Sequence, residues 1–551
     1  MNHIETVIAA FKNHVKNHFS LSCELIEKID CVLQVDPHKT MFGDLSSNAA
    51  LILAKTLKSN PRAVAETITQ TFSHPFCTKM EIAGPGFINL FLTPETLMHE
   101  AQALFEQKDL FFKETTNKDI ASTRYNIEFI SANPTGPLHL GHGRGGIIGD
   151  VLGNVIRFLG YTVVKEHYIN DAGVQMQKLG YSLRLRCQEA LGESIQFPED
   201  GYRGDYLKTL AQEAIAKEGK EILTFPDTFF VDYAYKTLLN HQKETLQSYG
   251  IIFDVWFSEK TLYPEKIKNA FSLLRKATMV YEEDGALWFK STYFGDDKDR
   301  VLKKSDGSTT YAAADAAYLV DKHERGFNHC ILVLGQDHDS YPKRLNGIRQ
   351  ALGLSDVTLD CIVYQLVSIK EGGQTVKLSK RAGRIVDLRD IIETVGPDIA
   401  RFFYLNRKAD AHLDFDIDLA LSQTNDNPVY YLHYAYVRTQ SIIEKAMLHE
   451  SLQNITAHDA LYLTQAELLL VKKIIQLKEL LLSIRIHYQV HLLTYYLLEL
   501  AEMFHTYYHR NRIIEPESIN QSRGRLFLTM LVKDTCDRCL TLMGLSKPRS
   551  M

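Results

Sequence analysis

The sequence contains few of the features that mark membrane-spanning, secreted or disulfide-bonded proteins. No apolar run reaches the roughly 18 residues that a membrane-spanning helix requires, and the N-terminal segment lacks the continuous apolar core of a signal peptide. The eight cysteines are scattered through 551 residues, so no disulfide framework is indicated. We therefore predict a cytoplasmic protein, and its length suggests roughly two to four domains.

The sequence also contains little that indicates a metal site, and it has no strong excess of one charge. Cys536 and Cys539 form a CxxC pair, but a structural zinc site needs a second pair of ligands, so we predict no zinc and two small side chains on a helix. The net charge of −5 excludes a uniformly basic nucleic-acid-binding chain. Residues 505–551 carry eight Lys and Arg against four Asp and Glu, which fits either an RNA-binding surface or a solvated helix face.

The hydrophobic pattern divides the chain into three predicted regions. Residues 1–116 have helical patterns and one alternating strand, FINLFL (Phe87–Leu92), which indicates a small α/β unit. Residues 117–422 alternate strands and helices. Residues 423–551 contain long amphipathic helices, which predicts an all-α helical bundle. No clear internal repeat or low-complexity tract interrupts this order.

The middle region begins with the pattern of a βαβ unit. Strands are predicted at YNIEFI (Tyr125–Ile130) and TVVKEHYI (Thr162–Ile169), with a helix over Arg144–Leu159 between them. A crossover of this kind implies a parallel sheet of the Rossmann type, and Cys330–Gly335 and Asp360–Ile369 read as further strands of it. The long interval from Asn170 to about Arg300 is too long for a loop, so we predict a largely helical insertion there.

A glycine- and proline-rich loop, SANPTGPLHLGHGRGG, joins the first strand to the helix. Ligands bind at the carboxyl ends of such strands, and helix N-termini suit phosphate. Gly136, Gly141 and Gly143 would let a ligand approach the backbone, and His139 and His142 could both donate to phosphate oxygens as charge builds up. The alternatives are a metal site, which has no third ligand close in sequence, and structural histidines.

A second basic motif, TVKLSKRAGR, follows a predicted strand and a Gly-Gly turn. Lys377, Lys380, Arg381 and Arg384 place four cations within eight residues. A flexible loop of this composition can close over a triphosphate. Alone it would more often be a solvated loop, but with the histidine loop it predicts the second half of a nucleotide site.

Together these motifs resemble those of class I aminoacyl-tRNA synthetases. HLGH (139–142) is similar to the HIGH signature, and KLSKR (377–381) is similar to the KMSKS loop with Leu for Met and Arg for the final Ser. EFISANPTGPLHLGHGRGGIIGD, YINDAG, YAAADAAYLVDKHERGF and DNPVYYLHYAYVR resemble the arginyl-tRNA synthetase family over nearly the whole chain. A class I synthetase of another specificity, an HxGH-type nucleotidyltransferase and a non-catalytic RNA-binding relative remain alternatives.

The resemblance implies roles for individual residues. The catalytic groups are His139, His142, Lys377 and Lys380, and ATP contacts Pro137, His139, Gly141, His142, Lys377, Ser379 and Lys380. The motif region is Ala132, Asn133, Pro134, Thr135, Gly136, Pro137, Leu138, His139, Leu140, Gly141 and His142. L-arginine is held by Glu128, Ser131, Asn133, Tyr311, Asp315 and Gln336, of which Ser131, Asn133 and Gln336 take its backbone end.

The chemistry of arginine agrees with these residue types. A guanidinium is a permanently charged, planar fork of five donors, so its pocket needs carboxylates. Glu128 lies just before the histidine loop, and Tyr311 and Asp315 are spaced i, i+4, hence on one face if the segment is helical. The resemblance places all three at the guanidinium end.

The resemblance also implies partners. Magnesium accompanies ATP as part of the substrate, and tRNA is the second substrate. The N-terminal unit contacts the outer corner of the tRNA and the C-terminal bundle reads the anticodon, in a protein that is a monomer. Some C-terminal tyrosines could stack on unpaired bases, although more of them are expected in the core: Tyr430, Tyr431, Tyr434, Tyr436, Tyr507 and Tyr508.

Overall fold

The computed structural model describes residues 2–114, 119–338, 341–376 and 387–551, and it begins with the predicted small α/β unit. Four antiparallel strands form a sheet in the order β1-β2-β4-β3, and helices pack on it. In the first helix, Ile4, Val7, Phe11 and Val15 recur every three or four residues and are all buried. The elements are α1 (His3–His18), α2 (Cys23–Glu27), β1 (Cys31–Leu33), β2 (Leu45–Ser47), α3 (Ala49–Leu57), α4 (Pro61–Thr71), β3 (Cys77–Ala83), β4 (Phe87–Leu92) and α5 (Pro94–Gln107).

The middle region is built around a five-stranded parallel sheet in the order β12-β11-β5-β6-β7. Its elements are β5 (Arg124–Phe129), α6 (Leu140–Leu159), β6 (Thr162–Ile169), α7 (Val174–Ala190), α8 (Asp205–Glu218), α9 (Asp227–Ser248), β7 (Val255–Ser258), α10 (Glu265–Lys276), β8 (Val280–Glu283), β9 (Ala286–Phe289), β10 (Arg300–Lys303), α11 (Tyr311–Glu324), β11 (His329–Gly335), α12 (Tyr341–Ala351), β12 (Thr358–Tyr364), β13 (Val367–Glu371), β14 (Gln374–Val376), α13 (Leu388–Val395), α14 (Pro397–Leu405), β15 (Leu413–Asp416) and α15 (Ile417–Leu421).

The predicted βαβ unit is confirmed as β5, α6 and β6. Helix α6 begins at Leu140, four residues before the predicted start, because His139 caps it, and it ends at Gly160 with a φ of +112°. The chain order reverses beside the central strand, since β6 lies on one side of β5 and β11 on the other. Open α/β sheets bind ligands in the crevice outside the carboxyl ends of such strands.

Two predicted segments were wrong in part. The run from Asp360 to Ile369 is divided between β12, in the main sheet, and β13, in a separate sheet of order β14-β13-β15. The insertion is not helical throughout, although α10 lies in its second half. After α9, the chain returns to the main sheet as β7 and forms a small antiparallel sheet, β10-β9-β8. These strands have only four residues each, too few to produce a readable alternation of apolar and polar residues.

The C-terminal region is the predicted helical bundle. It contains α16 (Pro428–Ala446), α17 (Gln465–His487), α18 (Leu492–Arg510) and α19 (Ile519–Met543). Cys536 and Cys539 lie on α19, as predicted, and both are buried. Within the described ranges, no helix is both long and apolar enough to cross a membrane.

A buried arginine connects this bundle to the helix that follows the histidine loop. The Arg401 guanidinium forms an ion pair with Asp150 of α6 at 2.5 Å and donates to the carbonyl oxygens of Met543 and Tyr249 at 2.8 and 2.9 Å. Asp150 also pairs with Lys165 at 2.7 Å. Because unpaired charges are costly inside a protein, this network fixes α6 against the end of α19.

Candidate active site

The two histidines of the loop are held by backbone hydrogen bonds. The Gly141 N–H donates to Nδ1 of His139 at 3.2 Å, and the His139 N–H donates to Nδ1 of His142 at 3.1 Å. Their rings stack with centroids 3.6 Å apart. Since each Nδ1 accepts a hydrogen bond, the tautomer of each neutral ring carries its proton on Nε2. Both Nε2 groups are therefore set as donors at the N-terminus of α6.

The glycines of the loop also serve packing, and their predicted role in ligand approach stays a prediction. A Cβ at Gly143 would lie 2.7 Å from Leu388 and 3.1 Å from Tyr404, and one at Gly141 would lie 3.2 Å from the His139 ring. A Cβ at Gly136 would touch Tyr206 at 3.5 Å. Side chains of the protein therefore leave no room for a Cβ at Gly143, whereas the contact at Gly136 is an ordinary van der Waals distance.

The backbone turns sharply where β5 ends and the loop begins. Ile130 and Ser131 both have positive φ, +67° and +42°, a conformation that costs energy in residues other than glycine. The Ser131 hydroxyl oxygen accepts from the Tyr168 N–H at 3.2 Å. Gln242, on insertion helix α9, donates to the carbonyl oxygens of Asn133 and Gly136 at 3.1 and 2.8 Å. The insertion thus helps to hold the strained loop in place.

The basic motif lies outside the described residues, and with it the predicted Lys377, Ser379, Lys380, Arg381 and Arg384. The segment that follows is described. Asp387 pairs with His139 in an isolated antiparallel bridge, and the Leu388 N–H donates to the Leu138 carbonyl at 2.9 Å. The chain after the basic motif is therefore fastened to the histidine loop.

A cavity of about 600 Å³ opens at the carboxyl ends of β5, β6, β11 and β12. It brings together nearly all the predicted ATP and arginine contacts that the structure describes: Glu128, Ser131, Asn133, His139, Gly141, His142, Tyr311, Asp315 and Gln336. Pro137 is the exception and lines a smaller neighbouring cavity of about 180 Å³. The spacing argument for α11 is confirmed, since Tyr311 and Asp315 both line the larger cavity.

Asp315 is a carboxylate poised for a cation. One oxygen accepts from the Tyr341 hydroxyl, while Oδ2 has no hydrogen-bond partner among the described residues. Desolvation in the cavity wall raises the pKa of Asp315 to about 7, and repulsion from Glu128 and Glu259 adds to the shift. A cation bound here would reverse that shift.

Glu259 is a second such carboxylate, and the sequence reasoning missed it. Its side chain is buried, one oxygen accepts from the Tyr263 hydroxyl at 3.1 Å, and Oε2 has no partner within the described part of the chain. Burial raises the pKa of Glu259. It directly follows β7, so recognising VWFS (Val255–Ser258) as a sheet strand would have placed it at the ligand-binding edge.

Glu128, in contrast, already has a cationic partner. Lys322 Nζ donates to its Oε2 at 2.7 Å, and the Ser131 hydroxyl donates to its Oε1 at 3.2 Å. The carboxylate lines the cavity as predicted, but its charge is matched inside the protein. Asp315 is therefore the carboxylate of the lining that has a buried oxygen without a partner among the described residues, and Glu259 lies near it.

Comparison with known proteins defines the class and then the family. A model of the class I (R) tRNA synthetase catalytic domain matches residues 100–401, and a DALR anticodon-binding domain matches 432–551. The fold and the site are thus those of a class I aminoacyl-tRNA synthetase. An arginyl-tRNA synthetase N-terminal domain matches residues 5–92. The domain boundaries predicted at 116/117 and 422/423 stay predictions.

Relatives named arginine–tRNA ligase align over almost the whole chain. That of Citrifermentans bemidjiense is 41% identical over 525 residues, covering 94% of each chain, and that of Bacillus licheniformis is 39% identical over 564 residues, covering all of both. The chain belongs to the arginyl-tRNA synthetase family. The arginyl-tRNA synthetase structure of Thermus thermophilus matches with a TM-score of 0.73 at 20% identity, covering 99% of this chain and 100% of that one, and supports the fold.

Proposed function

We propose that this protein activates L-arginine with ATP and transfers it to the 3′-terminal adenosine of an arginine-accepting tRNA. The observation that carries the proposal is one cavity that is lined by stacked histidines at a helix N-terminus and by Asp315, an incompletely bonded carboxylate. A second carboxylate, Glu259, lies close enough to Asp315 to raise its pKa. The histidines suit the phosphates of ATP and the carboxylates suit a guanidinium. Family membership supports both assignments.

In the first step, a carboxylate oxygen of arginine attacks the α-phosphorus of ATP and pyrophosphate leaves. The protein acts mainly by positioning the reactants and by stabilising the spreading negative charge. We assign this stabilisation to Nε2–H of His139 and His142, together with Lys377 and Lys380 of the basic motif. Magnesium enters with the triphosphate. In the second step, the 2′-hydroxyl of the terminal adenosine takes the arginyl group and AMP leaves.

For the amino acid, we assign the guanidinium to Asp315 and Glu259, with Tyr311 beside them on the rim. Tyr311 is 65% exposed, so a bound side chain can cover its ring. Ser131, Asn133 and Gln336 lie at the strand ends near the histidines and hold the α-amino and carboxylate groups. Glu128 also lines the cavity, but its carboxylate is paired with Lys322, which disfavours a direct bond between Glu128 and the guanidinium.

For the tRNA, we assign anticodon contacts to an aromatic cluster on α16 and α18. The Arg438 guanidinium lies over the rings of Tyr434 and Tyr508, 4.4 and 5.0 Å from their centroids, and the His505 ring stacks on Tyr434. Tyr436 and Tyr507 are buried, whereas Tyr430, Tyr431, Tyr434 and Tyr508 are half-buried and can offer ring surface to unpaired bases.

The basic C-terminal segment contributes less to this surface than its composition suggests. Arg523 pairs with Asp459 at 2.6 Å, and Arg538 pairs with Asp109 at 2.7 Å. The first ion pair lies within the C-terminal region and the second joins it to the N-terminal region, so only part of the local positive charge is left for RNA phosphates. We propose that the N-terminal unit supplies the remaining tRNA contacts and that the protein acts as a monomer in the cytoplasm.

ATP–pyrophosphate exchange with each of the twenty amino acids, with and without tRNA, tests the proposed function. We expect exchange with arginine and with none of the other nineteen amino acids, and we expect faster exchange when tRNA is bound. Exchange with another amino acid would overturn the specificity. An exchange rate that is the same with and without tRNA would favour a simpler nucleotidyltransferase-like activity.

Arginine binding should weaken as the pH falls through 7. Arginine binds the ionised form of Asp315, whose pKa of about 7 in the free protein is lowered by the bound guanidinium. Protons must therefore leave on binding. The dissociation constant should be nearly constant above pH 8 and rise by up to about tenfold per pH unit below 7. Isothermal titration calorimetry at pH 6, 7 and 8, in buffers of different ionisation enthalpy, measures both the affinity and the released protons. A flat affinity with no proton release would contradict the assignment.

A further inference from the structure

Lys322 is a buried cation in the wall of a cavity that is expected to bind a cation. Its side chain is 2% exposed, its ammonium pairs with Glu128 at 2.7 Å, and it lies 4.2 Å from the centroid of the Tyr318 ring. It reaches the cavity from α11, about two turns beyond Asp315. A lysine in such a place requires a reason, because it repels an incoming guanidinium unless its charge is matched.

The neighbouring carboxylates Glu166 and Asp321 form ion pairs with cations other than Lys322. Arg325 holds Glu166 with two hydrogen bonds, at 2.5 and 2.9 Å, and pairs with Asp321 at 2.8 Å. Lys266 also pairs with Asp321. Glu166 lies opposite Glu128 on the neighbouring strand, so Arg325 and Lys322 each cover one of two adjacent carboxylates. Lys322 is therefore needed for Glu128 in particular.

We propose that Lys322 is a positioning residue that sets the charge of the amino-acid cavity. By holding Glu128 in an ion pair, it leaves Asp315 as the carboxylate of the lining whose buried oxygen is available to a guanidinium, with Glu259 nearby. This inference rests on the proposed function, in which L-arginine is the substrate. It predicts that the cavity accepts one side-chain cation because Glu128 is already neutralised, and that Glu128 and Lys322 act as a unit.

The surrounding groups are consistent with this role. Glu128 on β5, Glu166 on β6 and Cys330 on β11 face Lys322 from the sheet, and Arg325 directly follows the helix that carries Lys322. Desolvation opposes the charged form of Lys322, yet its pKa is raised because Glu128 and Glu166 attract the ammonium. Asp315 is faced by Tyr341 and Arg344 of α12, and by Glu128 and Glu259. A change of charge at Glu128 is thus transmitted to Asp315.

A double-mutant cycle on the full-length protein tests the proposal, with the dissociation constant of arginine as the readout. Glu128→Gln leaves the Lys322 ammonium unmatched, so arginine should bind at least about tenfold more weakly. Adding Lys322→Met removes that ammonium and should restore most of the lost affinity. If Glu128 acted only through its own contact with arginine, the double variant would bind no better than Glu128→Gln.

Lys322→Met alone provides a second readout. It leaves the Glu128 carboxylate unmatched beside Asp315, so the pH below which arginine binding weakens should move up by about one unit, whereas Lys322→Arg should restore the wild-type profile. Lys266→Met is the matched control. It removes a lysine ion pair to the same helix outside the cavity lining and should leave the profile unchanged.

The outcomes separate this inference from the choice of substrate. An unmoved pH profile in Lys322→Met, or no recovery in the double variant, overturns the role of Lys322. A shift of the same size in Lys266→Met also overturns it, since the effect would then be structural. If the wild-type protein selects another cationic amino acid, the choice of arginine fails, and the same variants titrated with that amino acid still decide the role of Lys322.

Discussion

His142→Ala should slow ATP–pyrophosphate exchange by about 100- to 1000-fold, with tRNA present and with little change in the KM for arginine. The ring's Nε2–H is fixed as a donor by the backbone bond to Nδ1, so it meets developing phosphate charge without reorganisation. Loss of one preorganised donor raises a barrier by about 2.7–4 kcal/mol. Exchange at a near-normal rate would overturn the catalytic assignment.

Two further variants separate the donor of His142 from its capping role. His142→Asn can place an acceptor near Nδ1 for the His139 N–H but has no group at Nε2, whereas His142→Gln does the reverse. We expect His142→Asn to be as slow as His142→Ala but nearly as stable as the wild type. His142→Gln should recover part of the rate and lose about 0.5–2 kcal/mol of unfolding free energy. Thermal unfolding beside the exchange assay measures both.

The elements around this loop could be predicted from the sequence because their signals are local. Helix α6 has an apolar stripe and a terminal glycine, and β5 and β6 are long enough to show strand patterns. The orientation of the two rings could not be predicted. It depends on backbone N–H groups whose positions are fixed only when His139 becomes the helix cap.

The charge balance of the cavity could not be predicted from the sequence either. Glu128 and Lys322 are 194 residues apart, and nothing in the sequence near either one indicates that they meet. Glu259 was missed because β7 is a four-residue strand inside a region that had been read as a helical insertion. Residue types therefore predicted a site for a cation, but the assignment of each carboxylate required the fold.

Asp315→Asn should weaken arginine binding by on the order of 100-fold or more. The amide can still accept from the Tyr341 hydroxyl, so the change removes charge and little else. Losing one partner of a hydrogen-bonded charge pair that is covered on binding costs roughly 2–5 kcal/mol. Citrulline, whose urea group is a neutral isostere of the guanidinium, should lose far less affinity. The variant should thus discriminate poorly between arginine and citrulline, and its arginine affinity should depend less on pH near 7.

Glu324→Gln is the matched control, since it removes an exposed carboxylate from the end of the same helix. It should leave the affinities for arginine, citrulline and ATP unchanged. If Asp315→Asn weakened arginine and citrulline equally, Asp315 would shape the cavity rather than recognise charge, and Glu259 would carry the selection. If ATP binding fell by the same factor, the cavity itself would have been disrupted. Preferential loss of arginine is the result that a guanidinium-binding carboxylate requires.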